Sequence, residues 1–395
     1  MTLLSTRARA VRASAIRDLL TLTARPDVLS LAGGLPAADL MPRERIAAAT
    51  ARALTDPAHL QYSPTTGTDA LRAVLAAHES ERLGRPVPAD RTVVTTGSQQ
   101  ALDLLARTLL DPGDPVVVED PGYVGALQVL QAASAELHPV PLDEDGMCVD
   151  VLADRLAAGL RPRLVHTVSS FHNPRGVTLA PERRRVLAGL ADRYGFLVVE
   201  DDPYGLLAFD GRPPRPVAAH GERVVRLGST SKVLAPALRV GWLTGPAEVC
   251  AGVERLKQLT DLCTSSLTQA ITAELLADTA WFARHVARVR TATAERAAAF
   301  TAAVAELLPG VESTSPTGGM FCWLTFPDGT DTAELLPRAL TAGVGYVPGA
   351  AFAVREDVSA GGHAAEARCC FATYPPGTVR EAVRRLASVV PVAAT

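Results

Sequence analysis

The chain has 395 residues, more than one hydrophobic core serves well, so two domains are expected. An apolar fraction of 48%, a charged fraction of 21% and a formal net charge of −3 are those of an ordinary soluble enzyme, with no electrostatic case for nucleic acid or an anionic membrane surface. No run of about 18 apolar residues offers a membrane span. The arginine-rich start lacks the long apolar core of a secretory signal, so a cytoplasmic location is expected.

The basic residues are chosen unevenly. Only Lys232 and Lys257 are lysines; the other 37 are arginines. Arginine stays protonated, whereas a desolvated lysine becomes a nucleophilic amine, so a lysine kept in this chain invites a chemical reason. Lys257 falls in the amphipathic run Val253–Leu259 and reads as a solvated face. Lys232 lies in Arg226-Leu-Gly-Ser-Thr-Ser-Lys-Val-Leu-Ala-Pro-Ala-Leu-Arg-Val-Gly241, between hydroxyls and a proline turn. The six cysteines form no C-x-x-C pair and have no histidine cluster beside them, so reduced thiols and no metal site are expected.

In chain order, residues 7–25 read as a helix ended by Pro26. Leu31–Pro42 is a glycine- and proline-rich loop, followed by a helix from about Arg43 to Leu54. Gln61–Gly67 is a second loop, leading into a helix over Thr68–Leu83. From residue 91 short β-branched runs alternate with helices. Strands are predicted at Thr92–Thr96, Pro115–Glu119, Arg163–Val168, Phe196–Glu200, Arg223–Leu227 and Val240–Thr244, with helices at Gln99–Leu110, from Tyr123, and at Pro181–Tyr194. A helical region runs from Pro246 to about Leu308, and Met320–Phe326, Gly345–Val347, Arg368–Ala372 and a helix over Thr378–Val390 close the chain. The alternation predicts an α/β fold with a mostly parallel central sheet in a large domain, 45–289. Residues 1–44 and 290–395 would form a smaller α+β domain.

Ligands of open α/β sheets bind beyond the carboxyl ends of the strands, and the polar residues of interest fall there. Gly97-Ser98-Gln99, Tyr123, Asn173, Asp201 with Tyr204, and Ser229-Ser231-Lys232 each follow a strand. Singly, Gly97-Ser98 reads as a helix cap, Asp201-Asp202 as a solvated turn, Asn173-Pro174 as a turn and either tyrosine as a packed aromatic. Together they read as one site. A helix N-terminus with Ser98, joined by Ser229, Ser231 and the fork of Arg239, is a phosphate cradle. A phosphate beside a nucleophilic lysine suggests pyridoxal phosphate. That cofactor needs an acid at its ring nitrogen, which Asp201 supplies, donors at its ring hydroxyl, from Asn173 and Tyr204, and an aromatic platform, from Tyr123.

The chain resembles the fold-type I, class I/II pyridoxal-phosphate aminotransferases, and among them the group of 2-aminoadipate and kynurenine aminotransferases. The resemblance rests on Leu31-Ala-Gly-Gly-Leu-Pro36, Gln61-Tyr-Ser-Pro64, Thr95-Thr-Gly-Ser-Gln-Gln-Ala-Leu102, Val199-Glu-Asp-Asp-Pro-Tyr204, Gly228-Ser-Thr-Ser-Lys232 with Leu238-Arg239, Gly318-Gly-Met-Phe321 and Val347-Pro-Gly349, in that order. It implies that Lys232 bonds to the cofactor aldehyde and shuttles the proton between substrate and cofactor. It implies that Tyr62 reaches the phosphate of a neighbouring subunit in a homodimer with shared active sites. It also implies that Arg368 clamps the substrate α-carboxylate, that Arg17 meets the substrate side chain (or sits on a solvated helix face) and that Gly34 lets the N-terminal loop approach. Where the family reads Asn-Pro-Thr-Gly, this chain has Phe171-His-Asn-Pro-Arg-Gly176, which puts His172 and Arg175 near the pocket mouth.

The expected reaction moves an amino group between an α-amino acid and a 2-oxo acid in a two-step, ping-pong cycle, with glutamate and 2-oxoglutarate as the common pair. The alanine- and arginine-rich composition is that of a high-GC bacterium, where such enzymes often make unusual amino acids, arylglycines among them, for secondary metabolites. A lyase, cyclase or oxidase using the same cofactor is an alternative. So is a ligand-sensing regulator, although such regulators carry a DNA-binding module in front, and the large-domain pattern here starts by about residue 43.

Overall fold

The computed structural model describes residue 3 and residues 25–327, 329–354 and 362–390. Arg17 and all but the last residue of the helix expected over 7–25 lie outside the described residues. The strands are β1 (Leu29–Ser30), β2 (Thr92–Thr95), β3 (Pro115–Asp120), β4 (Glu136–Asp143), β5 (Gly146–Met147), β6 (Leu164–Thr167), β7 (Leu197–Asp201), β8 (Val224–Ser229) and β9 (Gly241–Thr244). They are followed by β10 (Glu312–Ser313), β11 (Phe321–Thr325), β12 (Val344–Gly345), β13 (Val347–Pro348) and β14 (Glu366–Cys370).

Eight strands form the large sheet in the order β2-β9-β8-β7-β6-β3-β4-β5. Strands β4, β3, β6, β7 and β8 are mutually parallel. β9 opposes β8, and β2 opposes β9, so β2 points the same way as β8. The carboxyl ends of β2, β3, β6, β7 and β8 therefore share one edge, and β9 starts there. Strands β2, β6, β8 and β9 are buried along their whole length, as β-branched runs covered on both faces must be.

A second, four-stranded sheet runs β10-β11-β14-β13, and the short β1 pairs with β12. We propose the division at 45–289 against the flanking segments; the β1–β12 pairing, which sets the N-terminal segment beside the C-terminal part, supports it. One apolar cluster joins the two sheets, from Val168 and Tyr204 on the large-sheet side to Phe321, Cys369 and Phe371 on the other.

Three differences from the sequence reading have local causes. β4 escapes the pattern because Pro139 and Pro141 interrupt it. β4 lies next to the sheet edge and meets β5 only at Leu142 and Asp143, so that side has no ladder for the prolines to break. The helical region after Pro246 is three helices, Ala247–Thr260, Ser266–Ala277 and Thr279–Leu307, the last two N-capped by Ser265 and Asp278. The helix Val149–Ala157 lies in a stretch the pattern does not resolve.

Under the shared edge lies a buried charged layer. Arg226 on β8 donates to Glu79 at 2.7 Å and to Asp202 at 2.8 Å, and Arg82 reaches Asp202 at 3.1 Å. The indole N–H of Trp242 also donates to Glu79. Removing one partner of such a pair leaves an uncompensated buried charge. Arg226→Met should cost about 3–5 kcal/mol of unfolding free energy, read by urea denaturation. A loss well under 1 kcal/mol would show that Glu79 and Asp202 do not depend on it.

Candidate active site

A cavity of about 340 Å³ opens at the shared strand edge. The large sheet contributes Ser98, Gln99, Tyr123, Asn173, Asp201, Tyr204, Ser229, Ser231, Lys232 and Arg239 to its wall. The N-terminal loop contributes Gly34, and the small sheet Phe321 and Arg368. The structure thus brings together every candidate except Gly97, which lies directly beneath, Tyr62, and the undescribed Arg17. Val124, Gly125, Gln128 and Phe321 also line the wall. Phe321 belongs to the run Gly318-Gly-Met-Phe321; Val124, Gly125 and Gln128 lie in an otherwise apolar helical stretch that does not mark them in the sequence.

One end is built for an anion. Gly97 caps the helix Ser98–Leu109, whose first N–H groups have no partner within the helix. Gly97 has φ +87°, and a Cβ there would stand 2.5 Å from the Arg239 guanidinium. Only glycine lets the arginine lie against this turn. Arg239 donates to the Thr96 carbonyl at 3.0 Å. The Ser229 hydroxyl donates to the Ser231 hydroxyl at 3.0 Å and accepts from the Ser231 N–H at 3.1 Å.

The middle holds the titratable groups. Strand alternation sends Asp201 into the cavity and Asp202 away from it. Burial alone would push Asp202 up, but Arg226 and Arg82 bring it down to about 2. Asp201 has no such partner. Burial and then the neighbouring Asp202 push it up to about 7, although Lys232 pulls the other way. Its Oδ1 is buried without a hydrogen-bond partner. His166 stands 4.0 Å behind its Oδ2, and burial pushes that ring down to about 4, so it is neutral. The half-buried Lys232 ammonium donates to the Gly34 carbonyl at 2.8 Å, and burial lowers its pKa, favouring the amine.

At the other end Arg368, on β14, is buried between the rings of Phe321 and Phe352, at 4.6 and 5.0 Å from their centroids. It donates to Asn173 Oδ1 at 2.8 Å and to the Ala32 carbonyl at 2.5 Å. The contact with Oδ1 leaves the Asn173 amide N–H groups for another acceptor. Arg368 Nε is buried and unpartnered, so the fork retains free donors. Tyr204 packs edge-on against Phe321, and the Tyr123 hydroxyl donates to Gln99. Burial pushes Tyr123 up to about 12 and raises Tyr204 well above the ordinary phenol value, so both remain donors.

Several readings of the sequence are corrected. Asp201-Asp202 is no solvated turn; both residues are buried. His172 is not at the pocket mouth but is buried, its Nε2 3.0 Å from Glu119. Arg175 turns away to the Leu142 carbonyl at 2.7 Å and lines a separate cavity with Glu144 and Glu312. Both follow from the loop 169–176 folding back on β3 and β4. Lys257 is not solvated: it is 0% exposed and paired with Asp261 at 2.7 Å. Tyr62 is not among these corrections: its side chain projects from its loop 76% exposed, outside the cavity of its own chain.

The donor set fits pyridoxal phosphate: an unpartnered buried carboxylate for the ring nitrogen, a glycine turn under an arginine for the phosphate, and a desolvated amine between them. Comparison with known proteins agrees. Residues 26–386 match the family "Aminotransferase class I and II". The chain is 40% identical to the aromatic-amino-acid aminotransferase 1 of Thermococcus litoralis, over 98% of this chain and 93% of that protein. It is also 40% identical to the 2-aminoadipate transaminase of Thermus thermophilus, over 95% and 93%. The crystal structure of Pyrococcus horikoshii kynurenine aminotransferase, in complex with PMP, superposes with a TM-score of 0.92 at 39% identity, covering 98% of this chain and 96% of that one. The chain belongs to the class I and II aminotransferases. It has the fold-type I architecture and is a pyridoxal-phosphate-dependent enzyme. No helix among the described residues is long and apolar enough to cross a membrane.

The raised value of Asp201 has a pH consequence in the cofactor-free protein. Folding disfavours its charged form, so stability is lost as pH rises from about 4 to about 7 and is level above. Asp201→Asn removes that loss. The melting temperature of the cofactor-free variant should gain on the wild type by several degrees between pH 5 and pH 7. A constant difference across that range would show that Asp201 does not titrate there.

Proposed function

We propose that the enzyme transfers an amino group from an α-amino acid to a 2-oxo acid in two half-reactions at this one cavity. The observation that carries the reading is the placing of a desolvated lysine, an unpartnered buried carboxylate and an arginine fork with free donors around one 340 Å³ space. Bound pyridoxal phosphate supplies an aldehyde that takes up the amino group and a ring that accepts the electron pair left when the Cα proton departs. Lys232 takes that proton from Cα and returns it at the cofactor carbon that bore the aldehyde. Asp201 keeps the ring nitrogen protonated. Asn173 and Tyr204 donate to the ring oxygen, and Tyr123 covers the ring face. The N-terminus of the helix Ser98–Leu109, with Ser98, Gln99, Ser229, Ser231 and Arg239, holds the phosphate. Arg368 binds the substrate carboxylate with its remaining N–H groups, and Gly34 gives the N-terminal loop its close approach.

The donor we favour has a large uncharged side chain, with 2-oxoglutarate as acceptor and glutamate as its product. Supporting this, Val124, Gln128 and Phe321 line the cavity, and its described arginines, Arg239 and Arg368, are both committed. Arg17 is the residue we propose for the acceptor's second carboxylate. A homodimer completes the site, with Tyr62 reaching the neighbour's phosphate. The exposure of Leu60, Tyr62, Leu259 and Leu262 on one chain supports such an interface.

Lys232→Ala should abolish the cofactor's lysine-bound absorbance band and lower turnover by more than 10³-fold; wild-type values of both would dismiss the assignment. Arg368→Ala should lower kcat/KM by about 10²–10³-fold, mostly through KM. An unchanged kcat/KM would place the carboxylate elsewhere. The amino-acid panel in these assays should include arylglycines, which an enzyme supplying an unusual amino acid would favour over the coded ones.

A further inference from the structure

Lys257 is the second of two lysines in an arginine-dominated chain, and the site described above does not use it. It is fully buried where the helix Ala247–Thr260 packs on the helix Ser98–Leu109. Its ammonium donates to both oxygens of Asp261, at 2.7 and 2.9 Å. The same carboxylate accepts from the Gln100 amide at 2.7 Å and from the Thr96 hydroxyl at 3.1 Å. Gln100 in turn accepts the Thr96 N–H at 2.7 Å, and the Thr96 carbonyl accepts from Arg239. The Lys257–Asp261–Gln100 network therefore holds two groups of Thr96, its hydroxyl and its N–H, and Arg239 holds the third, its carbonyl. Thr96 is the residue before the glycine turn of the anion cradle.

We infer that Lys257 is a positioning residue for the cofactor phosphate. This inference rests on the reading of the Gly97–Gln99 turn and Arg239 as the phosphate cradle. Through Asp261 and Gln100, the Lys257 ammonium fixes the backbone of Thr96. That in turn fixes where the N–H groups of Ser98 and Gln99 point and where Arg239 anchors. A compact ammonium gathers its three donors at one point, and here it reaches both oxygens of one carboxylate.

The test compares binding of pyridoxal phosphate and of pyridoxal, which lacks the phosphate, to the cofactor-free protein, followed by absorbance. Lys257→Met should reduce the preference for the phosphorylated form at least tenfold while leaving pyridoxal affinity within twofold of wild type. Gln100→Met keeps the Lys257–Asp261 ion pair but removes the amide's bonds to Asp261, to the Lys257 ammonium and to the Thr96 N–H, and should reduce the same preference in the same direction. It decides the matter should Lys257→Met fail to fold. An unchanged preference in the folded variants, or an equal weakening of both ligands, overturns the inference. Arg239→Leu separates the two levels. If it lowers the preference and the other variants do not, only the role of Lys257 falls. If it too leaves the preference intact, the cradle reading falls with it.

Discussion

A buried carboxylate with no cationic partner is the constraint around which this structure is built. Strand β7 ends in Glu200 and Asp201, Asp202 follows directly, and alternation sends the first and third of these to one face. There Arg184, Arg226 and Arg82 meet them. Asp201 faces the other way, into the cavity, with a neutral imidazole behind it. Leaving a carboxylate so placed is unfavourable in the empty protein and becomes favourable when a cationic ring nitrogen arrives. The neighbouring ion pairs make the arrangement rigid, so the carboxylate has no alternative partner to turn to.

The same economy runs through the rest of the site. Each group that would hold a ligand is fixed by a contact that leaves its functional atoms free. Arg368 spends two donors on Asn173 and Ala32 and keeps others. Ser231 is tied to Ser229. The turn at Gly97 is narrow enough that its arginine lies against the backbone. The small sheet matters because it brings Phe321 and Arg368 over the open edge of the large one, and one apolar cluster fixes that placement.

Much of this was legible in the sequence. Lys232 stood out by residue choice, and the strand ends located Ser98, Tyr123, Asn173, Asp201 and Ser229 because parallel strands put their carboxyl ends on one edge. Amphipathic spacing misled at Lys257, since a pattern within one helix does not reveal that another helix covers its polar face. His172 and Arg175 were misplaced for a related reason: adjacency to Asn173 in sequence says nothing about which way a tight loop turns its side chains. Val124, Gly125 and Gln128 were illegible as cavity residues, because they share a wall with Phe321 and Arg368 only once the chain has folded. β4 was hidden by prolines that only a position near the sheet edge tolerates.

The preference for arginine also shapes how the molecule meets chemical reagents. Neither lysine stands free on the surface: Lys257 is sealed between helices and Lys232 is half-buried in the cavity. An acylating reagent that seeks amines, which decorates most proteins indiscriminately, finds one side-chain target here, at the centre of the cavity. Bound cofactor would mask that target. If Lys232 holds the cofactor as proposed, labelling of side-chain amines would read out cofactor occupancy, and coupling to a support through them would capture only empty sites.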